Sequence, residues 1–188
     1  MKKTGIIIIG AIVALAAIFG LFYVSAHNSI VALEEKINSS EAEIGVQLER
    51  RADLIPNLIN SVKGYMKHEE GIISEITEAR EKMVNASSLE DRNAADQQLT
   101  SALNNLYVIV ENYPDLKASQ NFTQLQDELS GTENRIATAR KDYNDSVEQY
   151  NKKIKTIPTS IVAGMMHAEE KAYLQTSEEK TAVPTVEF

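Results

Sequence analysis

Two interleaved rows of apolar residues, each repeating every eleven positions, constrain this chain more than any other feature. Leu33, Ile44, Ile55 and Met66 make one row, and Ile37, Leu48 and Ile59 the other. A period of eleven means about 3.67 residues per turn, so the rows hold one face of a nearly straight helix instead of winding it into a left-handed heptad coil. Ile30 extends the face toward the N-terminus, and no Gly or Pro falls between Gly20 and Gly45. Residues 29–83 are therefore expected to form one or two long helices.

The stretch QLERRADLIPNLINSVKGYMKHE, residues 47–69, reads as one amphipathic helix. Its apolar face carries Leu48, Ile55, Ile59, Val62 and Met66. A second stripe carries Arg50, Asp53, Asn57, Ser61, Gly64 and His68, short polar groups and a glycine that allow close approach of another helix. Pro56 stands inside the stretch. A proline there removes one backbone hydrogen bond and crowds the carbonyl four residues back, at ~3 kcal/mol. Either the helix restarts with Asp53 as N-cap, or it runs on with a kink. The apolar phase is kept across Pro56, which favours continuation.

Further on, Ile72, Ile76, Ala79 and Met83 keep helical spacing up to NASSL, residues 85–89, a turn in which Ser88 and Asp91 form a plausible cap. Leu99, Ala102, Leu103, Leu106, Val110 and Tyr113 mark another helix, closed by Pro114, with residues 112–119 as a connecting loop. A last long helix is expected over residues 120–157. Its face carries Phe122, Leu125, Leu129, Ile136, Tyr143, Val147, Tyr150, Ile154 and Ile157, and Pro158 stops it. The pairs Tyr143-Asn144 and Tyr150-Asn151 repeat at a heptad interval. The tyrosines read as packing residues, and the asparagines as interhelical hydrogen-bonders facing the polar stripe.

Ahead of all this, Lys2 and Lys3 precede an uncharged run over residues 5–26. At 1.5 Å per residue it spans a hydrocarbon core of about 30 Å. It exceeds the 7–15 residues of a signal-peptide apolar region, so an uncleaved anchor is expected, although Val24-Ser25-Ala26 would serve as a cleavage site. The flanking lysines favour an N-terminus inside and a domain outside the cytoplasmic membrane, and leave the opposite orientation open. The organisation expected is a basic head (1–4), a transmembrane anchor (5–26), an elongated antiparallel bundle of long helices (27–158) and a C-terminal segment (159–188) that is largely a disordered tail.

Composition supports an all-α chain. The 188 residues include only 6% aromatics, eight Gly, four Pro and no Cys, which suits long helices and leaves neither disulfides nor thiolate metal sites. There are 19 basic and 27 acidic residues, and two of the basic ones are Lys2 and Lys3, so the remainder carries a net charge of −10. Such a surface repels phosphate backbones, and nucleic acid is not an expected partner. His68-Glu69-Glu70 begins like a zinc-protease helix, but position 72, where the second histidine belongs, is Ile72. His27 and His167 are remote in sequence. No phosphate-binding glycine loop and no G-x-S-x-G elbow occurs. The reading is a chain without catalytic residues, cofactor, metal or evident small-molecule substrate.

The stretch 47–69 closely resembles the signature of the LemA family, bacterial membrane-anchored helical proteins. The block YPDLKASQNFTQLQDELSGTENRIATARKDYNDSVEQYNKKIKTIP, residues 113–158, resembles that family's other signature. The chain departs from the pattern near residues 165–174, where Met165, Met166, Tyr173 and Leu174 stand in place of more frequent aromatics, and in lacking a tryptophan in the first long helix. Some relatives are associated with organising membrane compartments. The resemblance thus implies a membrane-anchored scaffold or adaptor, acting by self-association or by binding a protein partner. An extracytoplasmic ligand-sensing bundle is the alternative, weakened by the want of a second span. The interface candidates are Arg50, Arg51, Asp53, Pro56, Asn57, Gly64 and His68 on the first helix, with Tyr143, Asn144, Tyr150 and Asn151 on the last.

Overall fold

A computed structural model of the chain describes residues 2–66 and 68–174, the first three of them by their backbone alone. Helices are the only regular secondary structure among these residues: α1 (Lys2–Lys63), α2 (Glu70–Asn85), α3 (Leu89–Val110), α4 (Pro114–Lys117), α5 (Gln120–Lys155) and α6 (Thr159–Met165). The chain forms two units. Residues 2–39 and 143–173 make the first, and residues 40–142 with Leu174 make the second among the described residues.

The eleven-residue rows make the buried face of α1: Ile37, Ile44, Leu48, Ile55 and Ile59 are buried, with Ile30 before them, Leu33 half-buried, and Met66 buried just past the helix end. Burying each such side chain contributes roughly 1.5–3 kcal/mol. In the second unit they share a core with Ile76 of α2, Leu99, Leu103 and Leu106 of α3, Leu116 of α4, and Phe122 and Leu129 of α5. On α5 the buried residues Phe122, Leu129, Ile136, Tyr143 and Tyr150 recur every seven positions.

α1 runs unbroken through Pro56, and no restart with Asp53 as N-cap occurs. The lost bond is replaced from outside the helix. Pro56 has no N–H to give the Ala52 carbonyl, and Arg80 of α2 donates to that oxygen from Nε at 2.9 Å. A proline in one helix thereby becomes a docking point for the next.

Several boundaries differ from expectation. α1 ends at Lys63, where Tyr65 and Met66 turn back to the Val62 carbonyl, so residues 47–69 are not one helix. Gly64 and His68 lie beyond its end, both exposed. The loop over 112–119 contains the short helix α4, with Pro114 at its start, where a missing N–H costs nothing. α5 ends at Lys155, two residues before the expected stop. The expected cap is present, with the Asp91 amide donating to Ser88 Oγ at 3.0 Å.

Residues 159–174, expected to open a largely disordered tail, have defined structure, and the rest of that tail lies outside the described residues. α6 closes with a Schellman turn. His167 takes the left-handed φ of 52° and donates to Gly164, while Ala168 donates to Ala163. The chain reverses there.

The Pro56–Arg80 relation is tested by a double-mutant cycle. Arg80→Ala strands the Ala52 carbonyl and is expected to cost about 1–2 kcal/mol. In a Pro56→Ala background, where residue 56 supplies its own N–H, the same change should cost less than half as much in denaturant melts. Equal costs in both backgrounds would refute the link.

Candidate functional site

The second unit gathers four charges from three helices, two of them buried. Asp96 of α3 is 2% exposed and Arg51 of α1 is 1% exposed. Arg51 Nη1 donates to Asp96 Oδ1 at 2.6 Å and to Thr100 Oγ1 at 3.0 Å, and Arg140 Nη2 of α5 donates to Asp96 Oδ2 at 2.8 Å. Glu133 of α5, on the rim, stands 3.7 Å from Arg51 Nη2. The two guanidiniums and two carboxylates sum to zero, so the cluster buries no net charge. Its Arg51 and Arg140 Nε atoms have no hydrogen-bond partner. The hydroxyl of neighbouring Tyr107 has none either, and burial holds its phenol above the usual tyrosine range, with Arg51 opposing and Glu133 adding to the effect.

This cluster lies at the base of an open cleft of about 930 Å³. α2 contributes Glu75, Glu78 and Lys82, α3 contributes Gln98, Ser101 and Asn105, and α5 contributes Glu133 and Arg140. Among the described residues, no three His, Asp or Glu side chains are arranged to hold a metal ion. The arrangement offers fixed carboxylates, carboxamides and hydroxyls to a polar surface, over a floor whose charges are already paired.

The interface candidates fall into separate places. Arg50, Asp53, Pro56 and Asn57 are exposed on α1. Asn57 and Ser61 line a groove of about 480 Å³ with Asn121, Gln124 and Glu128 near the start of α5. Arg51, one position from the predicted stripe, is instead the buried centre of the ion cluster. Its partners Asp96, Glu133 and Arg140 were not among the candidates, although the signal was available. Asp96 begins a 3,4-spaced series with Leu99, Leu103, Leu106 and Val110, so a charge stands where an apolar side chain belongs.

In the first unit, the heptad pairs serve a different end from the one expected. The Asn151 carboxamide donates to the Lys171 carbonyl at 2.8 Å and accepts from the Lys171 amide at 2.9 Å. It is spent on the chain's own returning segment, not on the α1 stripe. Tyr143 Oη donates to the Ala172 carbonyl at 3.3 Å, and Lys171 Nζ lies 3.0 Å from Glu34 and 6.0 Å from the centre of the Tyr150 ring. Tyr143, Tyr150 and Asn151 are buried, and Asn144 is half-buried. The Glu34 hydrogen bond holds the Lys171 ammonium above the ordinary lysine value. Its contribution to docking is complete below about pH 10.4 and is lost as pH rises through that raised value.

Residues 40–188 match the model of the LemA family. Protein LemA of Metamycoplasma hominis is 31% identical over 177 residues, covering 91% of this chain and 79% of that protein. Magnetosome protein MamQ 2 of Paramagnetospirillum magneticum is 25% identical over 79% of this chain. Magnetosome protein MamQ of Magnetospirillum gryphiswaldense is 25% identical over 73% of it. The chain spans 64% and 60% of the lengths of these two magnetosome proteins.

Two measurements follow from the geometry. Asp96→Ala leaves two guanidiniums facing each other in a buried site and is expected to cost about 3–5 kcal/mol in denaturant melts. The triple change Arg51→Met, Asp96→Leu, Arg140→Met should recover most of that loss. A cost below about 1 kcal/mol for Asp96→Ala would show the cluster to be structurally idle. Separately, Asn151→Ala should raise hydrogen exchange at the Lys171 amide several-fold, with the amides of α3 unchanged. Unaltered exchange at Lys171 would mean the segment is held by other contacts.

Proposed function

The chain belongs to the LemA family, and on that premise we propose that it is a non-catalytic, membrane-anchored helical scaffold or adaptor. It acts through self-association or by binding a protein partner at the polar surface of its second unit. The observation that carries this reading is the cleft between α2, α3 and α5. Its base is a set of mutually paired charges, a floor suited to being held still and poorly suited to proton transfer, because each buried charge already has an opposite partner. Its walls present carboxylates, carboxamides and hydroxyls that recognise the polar side chains of another protein.

A small-molecule sensor would be better served by a mostly apolar pocket that encloses its ligand, and this cleft is open and polar. The anchoring half of the reading rests on α1, whose first part is long and apolar enough to cross a membrane and has none of that stretch buried. Lys2 and Lys3 favour Met1 on the cytoplasmic side, with the helical region from residue 27 onward outside the inner membrane.

Photo-cross-linking in native membranes tests the scaffold role. A benzophenone residue at exposed position 98 on the cleft wall is expected to give a discrete protein adduct, either to a second copy or to one partner. The full-length chain should run above monomer mass by light scattering in lipid nanodiscs if that adduct is to itself. A monomer that gives no adduct from positions 98, 101 or 105 would overturn the proposal.

A further inference from the structure

In the first unit, Gln149 of α5 accepts a hydrogen bond from Lys36 of α1 at 3.3 Å. Ala26 and Ile30 are buried further toward the N-terminus of α1, and in this unit only residues 143–173 are available to cover them. α5 therefore continues from Gln149 toward the apolar end of α1. At 1.5 Å per residue, the end of α5 at Lys155 lies about 9 Å further that way, level with about residue 30 of α1. The chain then turns through α6, reverses at His167, and is back beside Glu34 and Asn151 by Lys171. The loop that holds α6 therefore extends toward the apolar end of α1. It stands where exposed apolar surface on α1 gives way to burial: Val24 is exposed, Phe22 and Tyr23 are half-buried, and Ala26 is buried.

α6 turns Val162 and Ala163 inward and leaves Ile161 and Met165, one turn apart, outward at 56% and 59% exposed, with Ile157 just ahead of the helix at 79%. Single exposed apolar residues are ordinary. Three within nine residues are a different matter beside the end of an apolar span. A hydrocarbon core of about 30 Å takes up some 20 residues of α1, roughly residues 5–24, so the boundary of the bilayer falls at the level where α6 lies. Lys152 and Lys153 in the last turn of α5 are close enough to reach the headgroup layer with their ammonium groups.

We propose that Ile157, Ile161 and Met165 form a second membrane contact, an interfacial foot that seats in the headgroup and acyl boundary of the same bilayer that α1 crosses. The occupant of this face is lipid, and the argument for it is continuity with the span. The foot fixes both the depth and the rotation of α1 about its axis, since only one side of the helix carries it. An unanchored interfacial helix this short would bind weakly, but the span brings it to the surface at high effective concentration.

The inference rests on reading α1 as a span and is independent of the scaffold role. Because the chain has no cysteine, single cysteines at positions 12, 108 and 161 can each carry an environment-sensitive fluorophore in the full-length protein. The protein is reconstituted in phosphatidylcholine vesicles with or without lipids spin-labelled at the fifth acyl carbon. The label at 161 is expected to lose at least half its fluorescence to the spin-labelled lipid and to resist aqueous iodide. The label at 108, on an exposed valine of α3, should show the reverse. A label at 161 that behaves like that at 108 overturns the foot. So does one shielded from iodide without lipid quenching, since a protein then covers the row. A label at 12 that lipid does not quench overturns the span and the foot together, and leaves the cross-linking test of the scaffold role standing.

Discussion

The Asp96 carboxylate is the fixed point of the second unit. Its two oxygens are divided between guanidiniums from two other helices, so a single side chain specifies where α1 and α5 lie along α3. Apolar rows alone would tolerate sliding, because a row of Ile and Leu packs nearly as well after a shift of one turn. A bidentate carboxylate does not, since displacement by one turn would leave the buried Asp96 and Arg51 without each other. Buried ion groups are weak contributors to net stability and strong discriminators between alternative packings. That trade suits a unit whose surface must keep one shape.

The second fixed point is Pro56. Proline is a defect in a helix judged alone, yet here the carbonyl it frees is the acceptor for Arg80. Specificity again comes from a group left in want of a partner within its own helix. The register of α1 against α2 is set by that one oxygen, and the register against α3 and α5 by one carboxylate.

Much of this was legible in the sequence. The eleven-residue rows placed the buried face of α1 at nearly every position, and continuation through Pro56 followed from their phase. The Ser88 cap was visible from local chemistry. What failed did so for identifiable reasons. A polar stripe from Arg50 to His68 assumed a helix longer than the one that ends at Lys63. Arg50 and Arg51 were grouped together as interface candidates, which overlooked that Arg51 is a charge intruding on the apolar face. Arg51, Asp96 and Arg140 each occupy such an intruding position, and their meeting is a tertiary fact that no single helix reveals. Residues 159–174 were expected to open a largely disordered tail because they have little apolar periodicity. They are held by main-chain hydrogen bonds to Asn151 and by Lys171, and such bonds leave no periodic trace.

The absence of any linker between the apolar part of α1 and the buried part has a mechanical consequence. Burial begins at Phe22 and Tyr23, within the same helix whose apolar residues 5–21 are exposed. A span of fixed length meets membranes of different thickness, and the usual remedies are tilt of the helix or local deformation of the bilayer. In a chain with a flexible neck, tilt stays within the membrane. With α1 as the proposed span, tilt is passed on to the first unit, because the same helix runs unbroken into that unit's buried part. On that proposal, the same rigidity makes the packed helices sensitive to the thickness of the surrounding bilayer, which turns lipid composition into a variable that the packed fold experiences directly.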